Sequence, residues 1–269
     1  LFDESKVKEF KMEMCEGLYP DWYSFKYPKA GEDNSIVDVY VYDLATGKSV
    51  KMDTGKETDI YLPRIGWTKD ANVLAIQRLN RYQNHLEILA ANANTGASRV
   101  MYDETNEYYI DITDDWTFLE DGNSFLMTSE KSGYNHIYLY LIDGTPVRQL
   151  TTGDWDVTQV YGFDGKEVYF QAAKKSHVER QIYAVNLKGQ MREVIGLEGT
   201  NNARFSNDLS YLININSTIN QPNQYVLYTN KGQQVRVLED NAAFAERLKT
   251  FNLGEKSLFT ISDPAFVMP

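Results

Sequence analysis

A block of roughly 45 residues recurs four times in this chain, and it constrains the fold more than any other feature. Each copy runs in one order: an aromatic residue and an acidic turn, an apolar strand, a polar connection, a second apolar strand, a glycine turn. The acidic turns are Lys69-Asp70, Asp121-Gly122, Asp164-Gly165 and Asn207-Asp208, with steps of 51, 43 and 44 residues between their aspartates. The glycine turns at Gly96, Gly144, Gly189 and Gly232 keep step at 48, 45 and 43 residues, and Gly47 precedes them by 49. A period of about 40–50 residues with four short strands per unit is the pattern of a β-propeller blade. One such unit cannot bury its own apolar face, so neighbouring units must share one architecture. The predicted fold is therefore all-β, a partial propeller of about four and a half four-stranded blades, with one short helix near the C-terminus.

The pattern divides the chain into an extended arm with its leading strand (1–34), blades (35–261) and a tail (262–269). In the arm, Pro20 and Pro28 favour an extended chain. Its residues Phe10, Met12, Met14, Tyr19, Trp22, Tyr23 and Phe25 carry more apolar surface than a solvated loop should. The arm is expected to pack on this domain or on a partner. A hairpin turning at Ala45-Thr46-Gly47 follows. The apolar strands are then expected around Val73-Leu74-Ala75-Ile76, Leu86-Glu87-Ile88-Leu89 and their equivalents in the three later repeats. Residues 240–248 read as a helix with Asn241 as its N-cap, and 257–261 as a strand leaving the blades.

The charge of −11 leaves no basic stripe for phosphates or for an anionic membrane surface. No apolar run approaches the roughly 20 residues that span a bilayer. The single cysteine, Cys15, excludes an intrachain disulfide and a cysteine-rich zinc site. The chain opens without a methionine or a leader pattern, so residues are expected ahead of Leu1.

Catalytic signatures are missing. There is no G-x-S-x-G turn, H-E-x-x-H or dinucleotide-binding glycine triplet. Gly47-Lys48-Ser49 resembles the end of a phosphate loop, but Tyr42 stands where that loop needs glycine. No cofactor and no metal site are expected. His85, His136 and His177 lie 51 and 41 residues apart, at matching places in successive repeats. Matching places in successive blades are set apart in a propeller, so structural or surface roles are expected for all three. The acidic groups Asp111/Asp114/Asp115, Asp154/Asp156 and Glu239/Asp240 read as solvated turns. The first two groups precede inner strands, where they could instead line a propeller face or channel. Asn216-Ser217-Thr218 fits the glycosylation pattern, which matters only in a secreted eukaryotic chain.

Five stretches, in order along the chain, together carry a family resemblance: Tyr27-Pro28-Lys29-Ala30-Gly31, Leu119-Glu120-Asp121-Gly122-Asn123-Ser124-Phe125, Gly133-Tyr134-Asn135-His136-Ile137-Tyr138, Leu150-Thr151-Thr152-Gly153-Asp154-Trp155-Asp156-Val157 and Arg236-Val237-Leu238-Glu239-Asp240-Asn241. The chain resembles the N-terminal β-propeller of the dipeptidyl peptidase IV family, prolyl-oligopeptidase-like serine exopeptidases. Phe2-Asp3-Glu4-Ser5 with Val7-Lys8-Glu9-Phe10 looks most like the bacterial members. The resemblance implies an eight-bladed propeller followed by an α/β-hydrolase domain, to which the 262–269 tail would lead, although the tail departs from the expected linker. It implies an enzyme that removes N-terminal dipeptides with Pro or Ala second, located in the periplasm or at the cell surface. The Ser-Asp-His triad and the glutamate pair that holds the substrate amine would fall outside these residues, so this chain has no catalytic residue of its own. Some members place an arginine near the substrate carbonyl; the corresponding stretch 107–118 has none, and Tyr109 and Asp111 are the polar residues nearest that place. An arm at about 6–29 would help form a homodimer through Phe10, Met12, Leu18, Tyr19 and Trp22. The rival reading is a stand-alone propeller that binds or scaffolds without peptidase activity. A sibling tripeptidyl peptidase shares the architecture.

Overall fold

The computed structural model describes residues 1–259. The leading segment holds β1 (Phe2–Asp3), β2 (Glu9–Met14), β3 (Asp21–Lys26) and β4 (Ile36–Val37), followed by the hairpin β5 (Tyr40–Asp43) and β6 (Lys48–Lys51). The first full repeat contains β7 (Ile60–Tyr61), β8 (Ile65–Trp67), β9 (Val73–Asn80), β10 (His85–Asn92) and β11 (Ser98–Thr105). The second contains β12 (Trp116–Phe118), β13 (Ser124–Ser129), β14 (His136–Leu141) and β15 (Pro146–Gln149). The third runs through β16 (Val157–Phe163), β17 (Glu167–Ala172), β18 (Gln181–Asn186) and β19 (Met191–Ile195). The fourth holds β20 (Thr200–Phe205), β21 (Tyr211–Thr218), β22 (Gln221–Thr229) and β23 (Gln234–Glu239), before the helix α1 (Ala242–Leu248).

Each repeat forms one up-and-down antiparallel sheet in chain order. The first differs in detail, because β7 and β8 both pair with β9 and act as one interrupted strand. Pro63 lies in the interruption, where a residue without an N–H is tolerated. The middle strands are buried on both faces; β13 and β17 are examples. This accounts for their nearly continuous apolar sequences. The outer strand β23 is exposed throughout.

The chain divides into two compact units, one of Leu1–Lys131 with Tyr138–Val147, the other of Ser132–Ile137 with the described residues from Arg148 on. In the first, the β5–β6 hairpin sets Val39 and Met52 against Leu74, Ile76, Leu89 and Ala91. On the opposite face of β9–β10, Leu79, Leu86 and Ile88 pack with Phe118, Phe125 and Met127 of the next repeat. In the second unit, Ile182 and Ala184 pack with Ala203, Leu212 and Val226. Alternate residues of a strand thus serve two neighbours.

The acidic turns share one local chemistry. Oδ1 of Asp70, Asp121, Asp164 and Asp208 accepts the amide N–H two residues on, at 2.8–3.2 Å. The Ser124 hydroxyl, with the Asn123 and Ser124 amides, holds the Asp121 carboxyl below its usual range. Burial pushes Asp164 upward, but the Glu167 and Lys166 amides and the Tyr169 hydroxyl outweigh it. The Ser206 and Ser210 hydroxyls lower Asp208 to about 2.

Two expectations need correction, and the arm gains detail. Within the arm, β2 and β3 form an antiparallel hairpin from Glu9↔Lys26 to Met14↔Asp21. Pro20 lies at the foot of its tip loop, where the chain already reverses. Asn241 does not cap α1 with its side chain; it adopts φ 53° and donates instead to the Asn223 carbonyl. The Asp240 carboxylate accepts the Ala242 amide in its place. Residues 257–259 form no strand; 260–261 and the tail 262–269 lie outside the described residues.

The later glycine turns show why their period is kept. Gly96, Gly144 and Gly232 all have φ between 78° and 96°, which L side chains rarely adopt. A Cβ at these positions would lie 2.1 Å from the Lys51 carbonyl oxygen, 3.0 Å from that of Met101 and 2.4 Å from that of Val194. Each of those carbonyls belongs to the last strand of the preceding repeat. Gly122 has φ 65° but open space around it. Gly96→Ala is therefore expected to cost about 3 kcal/mol, combining an unfavourable φ with a backbone overlap, against about 1 kcal/mol for Gly122→Ala. Urea unfolding of the two variants measures the difference.

Candidate functional site

The arm hairpin carries the largest group of exposed apolar side chains in the leading segment. Its base is fastened: Val7 is buried, Lys26 Nζ donates to the Val7 carbonyl at 2.8 Å, and Lys8 pairs with Glu32 at 2.6 Å. Register sorts its side chains. Phe10 faces Phe25, and Met12 faces Tyr23, so these four share one face. Trp22 lies across from Glu13 on the other face, and Leu18 and Tyr19 sit in the tip loop. Phe10 is partly covered within the arm itself, edge-on to Phe25 at 5.7 Å, with Lys29 Nζ 3.9 Å above its ring. Leu18 (98%), Tyr19 (86%) and Trp22 (65%) stand open. Tyr23 is also open, at 59%; strand pairing, which sequence alone did not specify, places it beside Met12.

Tyr109 and Asp111 lie in the connection between β11 and β12. The connection is pinned to the β9–β10 turn: Asn106 N–H donates to the Asn84 carbonyl, and Ile110 N–H to that of Gln83. Ile110 is buried in the core. Tyr109 is half exposed, its hydroxyl 3.4 Å from Gln83 Oε1, and Asp111 is exposed. An arginine from an earlier strand connection meets the end of this stretch through space. Arg64, between β7 and β8, forms an ion pair with Asp114, and that hydrogen bond holds Asp114 below the usual carboxylate range. No pattern along the chain joins residues 50 apart.

The histidines do not converge. His136 is buried, with Nδ1 3.0 Å from Thr151 Oγ1 and Nε2 2.9 Å from the Gly153 carbonyl. A carbonyl only accepts, so Nε2 carries a hydrogen. Trp155 stands edge-on at 5.0 Å. Asn135 N–H donates to Asp156, and Asn135 Nδ2 to the Val157 carbonyl. Two of the stretches that carry the family resemblance thus clasp each other, and Asp156 serves that clasp rather than a solvated turn. His177 lies in a connection, and Arg180 donates to its carbonyl. His85 lies 3.1 Å from Asp103. Asn216 is buried and donates to Asn201 Oδ1 and the Glu198 carbonyl, so the glycosylation pattern is closed to a glycan.

One polar cluster went unread in the sequence. Glu104 is buried on β11, where the Tyr102 hydroxyl donates to it and the Ser129 hydroxyl bonds it at 2.9 Å. Lys131 Nζ bonds the Tyr140 hydroxyl and lies 4.3 Å from the Tyr138 ring and 5.8 Å from that of Tyr102. Burial pushes the Lys131 amine down against the opposing charge of Glu104, and raises the Tyr140 hydroxyl to about 12. Burial, then the Glu104 charge, raises Tyr102. The signal lies in the alternation of β11, which puts Tyr102 and Glu104 on one face. Glu104→Ala leaves two hydroxyls short of their acceptor and should cost about 2 kcal/mol in urea unfolding. Glu104→Gln keeps a carbonyl acceptor and should cost less.

The family model described as "Dipeptidyl peptidase IV (DPP IV) N-terminal region" matches residues 1–223. The chain is similar to the crystal structure of Porphyromonas gingivalis dipeptidyl peptidase 4, with a TM-score of 0.85 and 38% identity over 92% of this chain and 36% of that one. A putative dipeptidyl aminopeptidase IV from Bacteroides ovatus gives a TM-score of 0.77 at 29% identity, over 89% of this chain and 37% of that one. A probable dipeptidyl peptidase 4 of Arthroderma benhamiae is 25% identical over 92% of this chain and 33% of its own length. An inactive dipeptidyl peptidase 10 of mouse is 28% identical over 64% of this chain and 24% of its own. The chain thus spans about a third of the length of the fungal relative it matches. By the bacterial structural match, its sheets are the blades of a propeller.

Proposed function

Because the chain belongs to the dipeptidyl peptidase IV N-terminal region family, we propose that it is the non-catalytic propeller portion of a serine exopeptidase that removes N-terminal dipeptides with Pro or Ala second. The observation that carries this reading is the structural match over 92% of the chain to a bacterial dipeptidyl peptidase 4. In this reading the blades narrow access to a hydrolase domain of the same polypeptide, with Tyr109 and Asp111 at the rim. The substrate is a peptide with a free N-terminus. The parent enzyme works in the periplasm or at the cell surface. Among the described residues no helix is long and apolar enough to cross a membrane.

The arm serves dimerisation in the same reading. Its support is an apolar tip held out on a fastened base, with Leu18, Tyr19 and Trp22 exposed and Met12 half exposed. Phe10 contributes less than the others because Phe25 and Lys29 already cover it. The relative named as an inactive dipeptidyl peptidase favours one alternative, a propeller that binds without peptidase activity.

Two measurements test these readings. Release of a chromogenic group from a Gly-Pro substrate is expected from the full-length gene product and not from the 269-residue chain. Activity in neither supports the binding module; activity in the short chain removes the proposal. In the full-length protein, Trp22→Ala is expected to weaken the dimer by about 2 kcal/mol or more, roughly 30-fold, read by sedimentation equilibrium. An unchanged dimer would remove the arm from the interface.

A further inference from the structure

At the end of the β10–β11 ladder, three side chains that can ligate a metal stand together. His85 and Glu87 are two residues apart on β10 and so share a face. Asp103 on β11 is the register partner of Glu87. One ligand atom from each lies within 4.8 Å of the other two. These are the odd-numbered positions, while Leu86 and Ile88 between them point into the core.

The spacing is close to what a metal needs. Ligand atoms about 2.1 Å from a tetrahedral zinc lie about 3.4 Å from one another. His85 Nε2 and Asp103 Oδ2 are already 3.1 Å apart. Glu87 has to bring Oε1 closer, a small side-chain adjustment that pivots about the Oε2 held by Arg78. Arg78 does not prevent this. Both of its hydrogen bonds, at 2.8 and 2.5 Å, end on Glu87 Oε2, so Oε1 can turn toward the metal. Arg78 also orients the carboxylate from behind, as outer partners of metal ligands do. His85 is held at its backbone, where its N–H donates to Asn80 Oδ1 at 3.1 Å. The side chains of His85 and Asp103 are 37% and 56% exposed, so an ion and its water can reach them.

We propose that His85, Glu87 and Asp103 form a binding site for a zinc-like divalent transition ion. One imidazole with two carboxylates suits a first-row transition ion better than calcium or magnesium, which take all-oxygen shells. Three protein ligands leave a position for water. The two carboxylates balance the ion's charge, and Arg78 sets back the affinity by its own. The site clips β10 to β11 at the edge where the arm base and the 106–115 connection approach the same turn. An ion bound there stabilises the folded chain in proportion to its occupancy.

The test is titration of the metal-free 269-residue chain with Zn2+, followed by calorimetry and by the melting temperature. One Zn2+ per chain is expected, with a melting temperature that rises with Zn2+ concentration. His85→Ala and Asp103→Asn should each weaken binding about tenfold or more, a loss seen even when outer partners of a ligand are removed. His177→Ala, in another repeat, should leave it unchanged. Circular dichroism of each variant without metal establishes that it is folded, and Co2+ in place of Zn2+ reports mixed nitrogen and oxygen ligation by its visible spectrum. Absence of stoichiometric binding, or binding that survives both His85→Ala and Asp103→Asn, overturns the proposal.

Discussion

The contact on which this structure depends is the seating of a glycine turn against the backbone of the repeat before it. At Gly96, Gly144 and Gly232 the chain approaches a carbonyl of the preceding outer strand so closely that a Cβ has little or no room. Gly189 keeps the same arrangement more loosely, 3.6 Å from the Leu150 carbonyl oxygen. A backbone-to-backbone approach of this kind sets the distance between repeats more sharply than side-chain packing does, because side chains can change rotamer and peptide groups cannot. Once it is set, the apolar faces meet: Leu86 and Ile88 reach Phe125 and Met127, and Ile182 and Ala184 reach Leu212 and Val226.

Several polar groups that enter this packing are satisfied locally, by pairs of stretches. His136 with Thr151 and Gly153, and Asn135 with Asp156 and Val157, are one example; Glu104 with Tyr102 and Ser129 is another. Buried polar groups are costly unless bonded, so these clasps specify which segments lie together. That gives the family-typical residues His136 and Trp155 a packing role. What projects from the scaffold differs in kind. The arm has a fastened base and an open apolar tip, an arrangement suited to a partner surface rather than to a core.

Much of the fold was legible because its signals are local. Asp70, Asp121, Asp164 and Asp208 close turns with their own side chains, and the strands between them alternate or run apolar according to how many faces they bury. Asn241 misled because a capping residue type is not a capping geometry: its φ of 53° turns the side chain to Asn223, and Asp240 takes the role. The arm's excess of apolar residues is plain in the sequence, but its hairpin is not. A two-stranded pairing without a strong turn signal leaves no period in the sequence, so the pairing of Met12 with Tyr23 shows only in the structure.

The sequence by itself determined the repeat, the all-β class, the turn chemistry and the family, because each depends on residues near one another in the chain or on short stretches in fixed order. Only the tertiary structure decided which distant groups meet. It carried Arg64 to Asp114, folded Lys131 into a group of tyrosines, and set Asp103 across from Glu87 beside His85. Those meetings depend on register and on the spacing between repeats, and a shift of one residue in either would turn each side chain to the opposite face.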